Sequence, residues 1–262
     1  MCLGYALNIV ICSSKPAFVV STEREKSLDT NEEAKAMHIP DGYLSPATCG
    51  VFGAVMIPIW MAASKRVKKT LKVRQVPFLA IGAAFSFVIM MFNVPIPGGS
   101  TGHAVGGVLV ALLLGPWAAC IALTVALLIQ ALLFGDGGIT AIGANCFNMA
   151  VVLPFTGYYV YRLISSNSPA GSRRRIIAAG AGAYAGICMA ALCAGIEFGL
   201  QPLLYHRANG QPLYSPYGLN VAVPAMVLGH LLVIGWVEVL VTALVVQYLQ
   251  KQDAVFFDGG IS

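Results

Sequence analysis

The chain has 262 residues, of which 58% are apolar and only 10% charged, and its mean hydropathy is +0.77. A soluble globular domain carries about 25% charged residues, so much of this protein's surface must face lipid. The composition therefore predicts a polytopic membrane protein and excludes a soluble enzyme, a disordered scaffold and a disulfide-stapled secreted domain. What the net charge of +5 means depends on where the basic residues lie.

Residues 1–36 differ in composition from the rest of the chain. A short apolar stretch, 3–11, leads into a polar and charged segment, 21–35. The stretch has the length of a signal-peptide core, but no Lys or Arg precedes it, and the cleavage-like sequence Ala34-Lys35-Ala36 lies far beyond it. Three interpretations stay open: a cleaved leader, an extra membrane anchor, or an over-extended start with true initiation at Met37.

Seven apolar segments after residue 36 are predicted to cross the membrane, because a bilayer core of about 30 Å needs about 20 mostly apolar residues per helix. They are residues 46–64, 76–94, 103–115, 117–135, 144–164, 174–200 and 221–250. The third is short and rich in glycine, so its ends must be buried against protein, since lipid cannot satisfy free backbone groups. We therefore expect an all-α membrane domain of about seven helices over 37–250, followed by a tail, 251–262.

Basic residues set the predicted orientation. The loop 65–74 carries six Lys and Arg residues, and four more lie at the end of the fifth segment or just after it, whereas the loops after the second and fourth segments carry none. By the positive-inside rule the basic loops and the C-terminus lie in the cytoplasm, and residues 37–45 lie outside. The basic residues thus indicate topology in the cell membrane, and no nucleic-acid partner is expected.

Polar groups that can bind a metal gather on the predicted outer side. The topology places His38, Asp41, His103 and Asp136 there. Ionisable groups at membrane depth are costly and therefore indicate a functional site. A single histidine near a membrane end is more often a hydrogen-bonded structural residue, and that alternative stays open at this point.

The segment that begins Met37-His38-Ile39-Pro40-Asp41 is suited to chelate a metal ion if Met37 is the N-terminus. The free amine of Met37 and the amide nitrogen and Nδ1 of His38 would close two low-strain rings in one plane. His103 would supply a fourth nitrogen, and Asp41 could orient an imidazole. A square of nitrogens suits Ni(II) or Cu(II) better than Zn(II).

Several blocks of the sequence resemble the CbiM/NikM family, the substrate-binding membrane components of energy-coupling-factor transporters for cobalt and nickel. The blocks are MHIPDGYLSP at 37–46, NVPIPGGSTGHAVGG at 93–107, LGPW at 114–117, QALLFGDGGIT at 130–140 and GANCFNMA at 143–150. The resemblance covers essentially residues 37–250, and the family's seven-helix architecture agrees with the seven segments.

The resemblance implies a ligand set. In the family the N-terminal amine, the amide and imidazole of the second residue, and a histidine before the third helix bind the metal. These positions correspond to Met37, His38 and His103. While residues 1–36 are attached, Met37 has no free amine, so the functional chain is expected to begin at Met37. The implied function is ATP-driven import of Ni(II), with Co(II) uptake for cobalamin biosynthesis as the alternative, and no cofactor is expected beyond the transported ion.

The resemblance also implies supporting residues and partners. Asp41 matches the acidic residue of the family's N-terminal loop, which corresponds to residues 37–45 here, and Asp136, Asn145 and Asn148 match a polar block expected to pack around the inserted N-terminus. The expected partners are a transmembrane coupling protein, two ABC-type ATPase subunits and a small accessory membrane subunit. The run of small residues at 180–186 predicts close helix packing, more simply within the chain than with a partner.

Two other classes of function compete with transport by such a complex. Residues 98–102 have the form G-x-S-x-G, but a nucleophile elbow requires a strand–turn–helix context, so an intramembrane serine hydrolase using Ser100 is disfavoured. An ion-coupled carrier would use Glu197 and Glu238 as a relay, although paired structural groups explain them equally. The chain contains no Walker A motif, so we expect ATP hydrolysis in a partner and no enzymatic activity here.

Overall fold

A computed structural model describes residues 38–96, 100–169 and 171–252 of the chain. Met37 and the segments 1–36 and 253–262 lie outside the described residues. The three interpretations of the first 36 residues and the prediction of a C-terminal tail therefore stay predictions.

Helices dominate the described residues. In chain order they are α1 (Pro46–Thr70), α2 (Val76–Met90), α3 (Gly107–Leu114), α4 (Pro116–Ile129), α5 (Ile142–Cys146), α6 (Leu153–Ser165), α7 (Arg173–Leu204), α8 (Leu219–Gly229) and α9 (Gly235–Lys251), with a single 3₁₀ turn at Val73–Gln75. Turns of π-helix extend α4 over Gln130–Phe134, join α5 to α6 over Phe147–Val152 and join α8 to α9 over His230–Ile234. Within the described ranges this makes seven helical segments, which correspond to the seven predicted ones.

The helices confirm a multi-pass membrane protein. Four helical segments are long and apolar enough to cross a membrane: Pro46–Thr70, Pro116–Phe134, Arg173–Leu204 and Leu219–Lys251. The short α3 is buried from Gly107 to Leu112 and packs against α4, α6 and α7. Its surroundings are therefore protein, as its length requires.

A short β-hairpin departs from the all-α prediction. Strands β1 (Val94–Ile96) and β2 (Ser100–Gly102) pair antiparallel, with Ile96 opposite Ser100. The sequence Asn93-Val-Pro-Ile-Pro explains the change, because proline lacks a backbone N–H and biases the residue before it toward extended conformations.

The hairpin moves two predicted helix boundaries. Helix α2 ends at Met90 instead of residue 94, and α3 begins at Gly107 instead of residue 103. His103 therefore lies in the connection between β2 and α3 and not on a helix. This connection, residues 103–106, is called the β2–α3 connection below.

Glycines allow α6 and α7 to pack backbone against backbone. A methyl group at Gly182 would lie 2.5 Å from the carbonyl oxygen of Gly157, and one at Gly186 would lie 2.6 Å from that of Leu153. Only glycine permits such an approach, because backbone atoms within packed helices cannot move aside. The small-residue run at 180–186 thus serves packing within the chain, as predicted.

Gly182→Ala should destabilise this helix pair, because the added methyl group would overlap the Gly157 carbonyl. Overpacking a dense interior costs about 1–3 kcal/mol, so we expect a lower melting temperature of the purified protein in detergent. Gly50→Ala in α1 is the matched control, since nothing lies within 4 Å of a methyl group there. Equal melting temperatures for the two variants would contradict the assigned packing.

Candidate metal site

The fold brings two of the three predicted ligands together. The rings of His38 and His103 lie with their centroids 4.8 Å apart and their planes 71° from parallel. Both residues are almost fully buried, at 1% and 2% exposure. The third predicted ligand, Met37, lies outside the described residues. The structure therefore brings together two buried imidazoles from distant parts of the chain, and one of them, His38, directly follows Met37 in sequence.

His103 presents one nitrogen for metal binding. Its Nδ1 lies 3.1 Å from the carbonyl oxygen of Ala104. A carbonyl oxygen only accepts hydrogen bonds, so Nδ1 carries the proton and donates it. In the neutral imidazole the lone pair is then on Nε2, which is the nitrogen that can bind a metal ion.

His38 makes a different contact. Its Nδ1 donates to a carboxylate oxygen of Asp136 at 3.0 Å, and its Nε2 is buried with no hydrogen-bond partner among the residues that the structure describes. A buried polar atom without a partner is costly and calls for an explanation. The predicted chelate uses Nδ1, so a metal ion bound there must replace the hydrogen bond to Asp136, for example after the ring turns about its Cβ–Cγ bond.

Asp136 supplies negative charge beside both histidines. Burial raises the pKa of its carboxyl group, but the hydrogen bond from His38 and the nearby His38 and His103 rings outweigh burial and hold the pKa below its ordinary value. Asp136 is therefore ionised at neutral pH. It follows the π turn that ends α4, where its own N–H donates to the Gln130 carbonyl at 3.1 Å. The predicted support of the N-terminal loop by Asp136 thus takes the form of a direct contact with His38.

Asn145 binds the backbone directly after His38. Its Oδ1 accepts from the Ile39 N–H at 2.8 Å, and its Nδ2 donates to the Ile39 carbonyl at 3.0 Å. The Gly138 N–H donates to the same carbonyl at 2.8 Å. Because the Ile39 side chain is also fully buried, the chain is fixed on both faces at this point. The N-terminal loop is therefore inserted into the helices, as predicted.

Asp41 supports the N-terminal loop, one of the two roles expected of it. Its carboxylate accepts from the Ile139 N–H at 3.1 Å, from the Thr140 N–H at 2.8 Å and from the Thr140 hydroxyl. Burial raises the pKa of Asp41, but the hydrogen bonds from Thr140 and Ile139 outweigh it and lower the pKa below its ordinary value. Asp41 thus binds the N-terminal loop to the 136–141 loop. The carboxylate that contacts the His38 imidazole is that of Asp136 and not that of Asp41.

Asn148, in the same polar block as Asn145, bonds to helix α7. Its Nδ2 donates to Glu197 of α7 at 2.9 Å, so it braces the helices behind the N-terminal loop and does not bond to that loop in the described part of the chain. Gln201, one turn beyond Glu197, accepts from the Ser45 N–H at 2.9 Å. Gln201 was missed, and the signal that could have found it is a polar side chain inside an apolar helical run.

The described side chains do not complete a metal site. No group of three or more His, Cys, Asp or Glu residues that could hold a metal ion occurs within the described ranges. The predicted ligand set around His38 and His103 includes two groups that are not side chains. The predicted Met37 amine and His38 amide nitrogen are groups of that kind.

The position of Ser100 argues against the hydrolase alternative. Ser100 begins strand β2 and pairs across the hairpin with Ile96. A nucleophile elbow instead places its serine at the turn between a strand and a helix.

Residues 38–255 match the family described as "Cobalt uptake substrate-specific transmembrane region". The probable fused nickel transport protein LarMN of Lactiplantibacillus plantarum is 58% identical over 82% of this chain and 65% of its own length. The fused nickel transport protein NikMN of Rhodobacter capsulatus is 57% identical over 83% of this chain and 62% of its own length. The chain thus spans less than two thirds of either fused protein.

A relative of similar length and two solved structures are also similar to this chain. The putative metal transport protein MJ1569 of Methanocaldococcus jannaschii is 53% identical over 82% of this chain and 92% of its own length. A crystal structure of a transition metal transporter superposes with a TM-score of 0.78 at 60% identity, covering 82% of this chain and 93% of that one. A truncated transition metal transporter gives a TM-score of 0.77 at 59% identity, covering 82% and 99%.

Asn145→Asp should weaken metal binding by about 10–100-fold, the cost typical of losing a group that supports a ligand. Aspartate can still accept from the Ile39 N–H, but its second oxygen would face the Ile39 carbonyl in place of a donor. Asn209→Asp makes the same chemical change in an exposed loop and should leave binding unchanged. Calorimetric titration of both purified variants with Ni(II) checks this, and equal affinities would contradict the role of Asn145.

Proposed function

Since the chain belongs to the cobalt uptake substrate-specific transmembrane family, we propose that it captures Ni(II) or Co(II) outside the cell and delivers the ion to the cytoplasm. The chain acts as the substrate-binding component of an energy-coupling-factor importer. The observation that carries this proposal is the buried pairing of His38 with His103 at the inserted N-terminal loop. The names of the nickel transport relatives support the class of substrate.

The ion is bound by the Met37 amine, by the amide nitrogen and imidazole of His38, and by His103. This set is consistent with the shortage of other ligating side chains among the described residues. The two hydrogen bonds between Asn145 and Ile39 also support this ligand set, because a chain terminus can chelate an ion only where the terminus is held in a fixed position. Metal binding requires deprotonated ligands, so affinity falls as the pH drops through the imidazole range.

Ni(II) is the preferred substrate and Co(II) the next. A deprotonated backbone amide is a strong-field ligand, and Ni(II), with eight d electrons, gains most from a square plane of such nitrogens. Cu(II) fits the same geometry and binds more strongly in the Irving–Williams order, so its exclusion depends on availability. If Co(II) is the cargo instead, the chain serves uptake for cobalamin biosynthesis.

Transport is driven by ATP hydrolysis in partner subunits. The chain has no Walker A motif, and the fused relatives that it matches are longer than the matched region. The partners are a transmembrane coupling protein, two ABC-type ATPase subunits and a small accessory membrane subunit.

The functional chain should begin at Met37, because only then does the chelate have its amine. Intact-mass measurement and terminal sequencing of the protein extracted from membranes decide the point, and the expected product starts Met-His-Ile-Pro. A fully active, metal-binding protein that retains residues 1–36 would overturn this assignment.

His38→Ala and His103→Ala should each abolish high-affinity Ni(II) binding, because losing a ligand costs more than the 10–100-fold typical of supporting groups. His206→Ala, at an exposed position, is the matched control and should change affinity little. Titration with Ni(II) in competition with Co(II) measures both the affinity and the preference. A similar loss in all three variants would indicate a general defect in stability and not a site, and preferential retention of Co(II) would reassign the substrate.

A further inference from the structure

Glu238 is buried where a carboxylate is costly, and it is bonded to the segment that carries His103. It lies in the first turn of α9 and is fully buried. The Val105 N–H donates to its Oε2 at 2.7 Å, and the Gly106 N–H donates to its Oε1 at 2.9 Å. Both donors belong to the β2–α3 connection, where the N–H groups at the start of α3 need acceptors.

One peptide group links Glu238 to His103. The peptide between Ala104 and Val105 donates its N–H to Glu238, and its carbonyl oxygen accepts from His103 Nδ1 at 3.1 Å. Hydrogen bonds in series polarise one another. A carboxylate that binds the second nitrogen of a metal-ligating imidazole fixes the tautomer, orients the ring and raises its basicity. Here the same chain of bonds runs from carboxylate to imidazole with a peptide group between them.

We propose that Glu238 is a positioning residue for the transported ion. It holds the 104–105 peptide so that His103 keeps its proton on Nδ1 and presents the Nε2 lone pair to a divalent cation. This inference rests on the proposed function. It assigns to Glu238 a role in metal affinity. An ion relay, or a residue that only caps the N–H groups at the start of α3, would not need to affect that affinity.

Close contacts at both ends of the β2–α3 connection limit the structural change that loss of the Glu238 carboxylate can cause. A methyl group at Gly102 would lie 2.8 Å from the Ile234 side chain, and one at Gly106, whose φ is +69°, would lie 2.5 Å from Phe85. Ile234 and Phe85 therefore pack closely against the chain on either side of Ala104 and Val105. Removing the carboxylate should free the 104–106 peptides without displacing the segment as a whole.

Glu238→Gln tests the proposal with little change in size. Glutamine keeps one oxygen but turns an NH₂ group toward one of the two backbone N–H groups, so two donors then face each other. We expect the Kd for Ni(II) to rise by about 10–100-fold, as for other groups that support a ligand. We also expect a shifted absorption band of bound Ni(II) and faster hydrogen exchange in a peptide covering 102–107.

Thr242→Val is the matched control, since Thr242 is fully buried one turn further along α9 and valine has nearly its shape. It should leave Ni(II) affinity, absorption and exchange at 102–107 unchanged. All variants are expressed from the full gene and purified from membranes, and their melting temperatures without metal are recorded. Glu238→Asp keeps a carboxylate but has a shorter reach, so it should bind Ni(II) more weakly than Thr242→Val and more tightly than Glu238→Gln. Its absorption band should shift as in Glu238→Gln, a change that a purely structural role would not produce.

The outcomes separate this inference from the function on which it rests. Wild-type protein that fails to bind Ni(II), or that binds it equally well in His103→Ala, would overturn the proposed function and this inference together. If wild-type binding depends on His103 but Glu238→Gln binds with unchanged affinity and absorption, only the role of Glu238 is overturned. Should Glu238→Gln fail to fold, Glu238→Asp decides: affinity and absorption equal to those of Thr242→Val would overturn the proposal.

Discussion

An extended chain buried among apolar helices must find hydrogen-bond partners for its own backbone, and Asn145 provides them. A buried peptide N–H or carbonyl without a partner costs about 1–3 kcal/mol, and no water in the lipid core can replace a missing bond. By bonding to both the N–H and the carbonyl of Ile39, the Asn145 side chain imitates a neighbouring β-strand. Insertion of the N-terminal loop depends on this pair of bonds.

The rest of the N-terminal loop also forms hydrogen bonds with other elements of the fold. Asp41 accepts from the 139–140 backbone, Gln201 accepts from the Ser45 N–H, and the Ser215 N–H donates to the Tyr43 carbonyl. Each bond joins the loop to a different part of the chain. The position of His38 is consequently determined by the whole fold and not by local conformation.

The two histidines belong to segments that are fixed independently. His38 lies at the start of the N-terminal loop, whereas His103 belongs to a connection held between α2, the π turn at His230–Ile234 and Glu238. A site formed between two such segments has a geometry set by tertiary structure, which is how a protein can favour one coordination geometry over another. Any movement of one segment relative to the other would change the coordination, which offers a physical route to releasing the bound ion.

Composition and hydropathy predicted the helical segments because spanning a membrane leaves a long and strong signal. The ends of α2 and α3 were less predictable, since three-residue strands such as β1 and β2 carry almost no pattern of their own. Pro95 nevertheless indicated where helix would stop. The π turns at Gln130 and His230 were not predicted either, because one extra residue in a helical turn leaves the apolar pattern nearly intact.

The sequence blocks pointed to His38 and His103, but the partners of those histidines could not be read from the chain. Whether Asp41 or Asp136 reaches the imidazole depends on how two loops 98 residues apart in sequence meet. Glu197 and Glu238 were ambiguous for the same reason. In the structure Glu197 accepts a hydrogen bond from Asn148, whereas Glu238 accepts from the Val105 and Gly106 N–H groups beside His103.

X-ray absorption and magnetic measurements on the Ni(II)-loaded protein from membranes test the central claim most directly, because they report the ligands and geometry without mutation. The account predicts a diamagnetic, square-planar ion with four nitrogen ligands, two of them showing the scattering of imidazole rings. A paramagnetic six-coordinate ion bound mainly by oxygen, or one with no imidazole in its coordination shell, would contradict it.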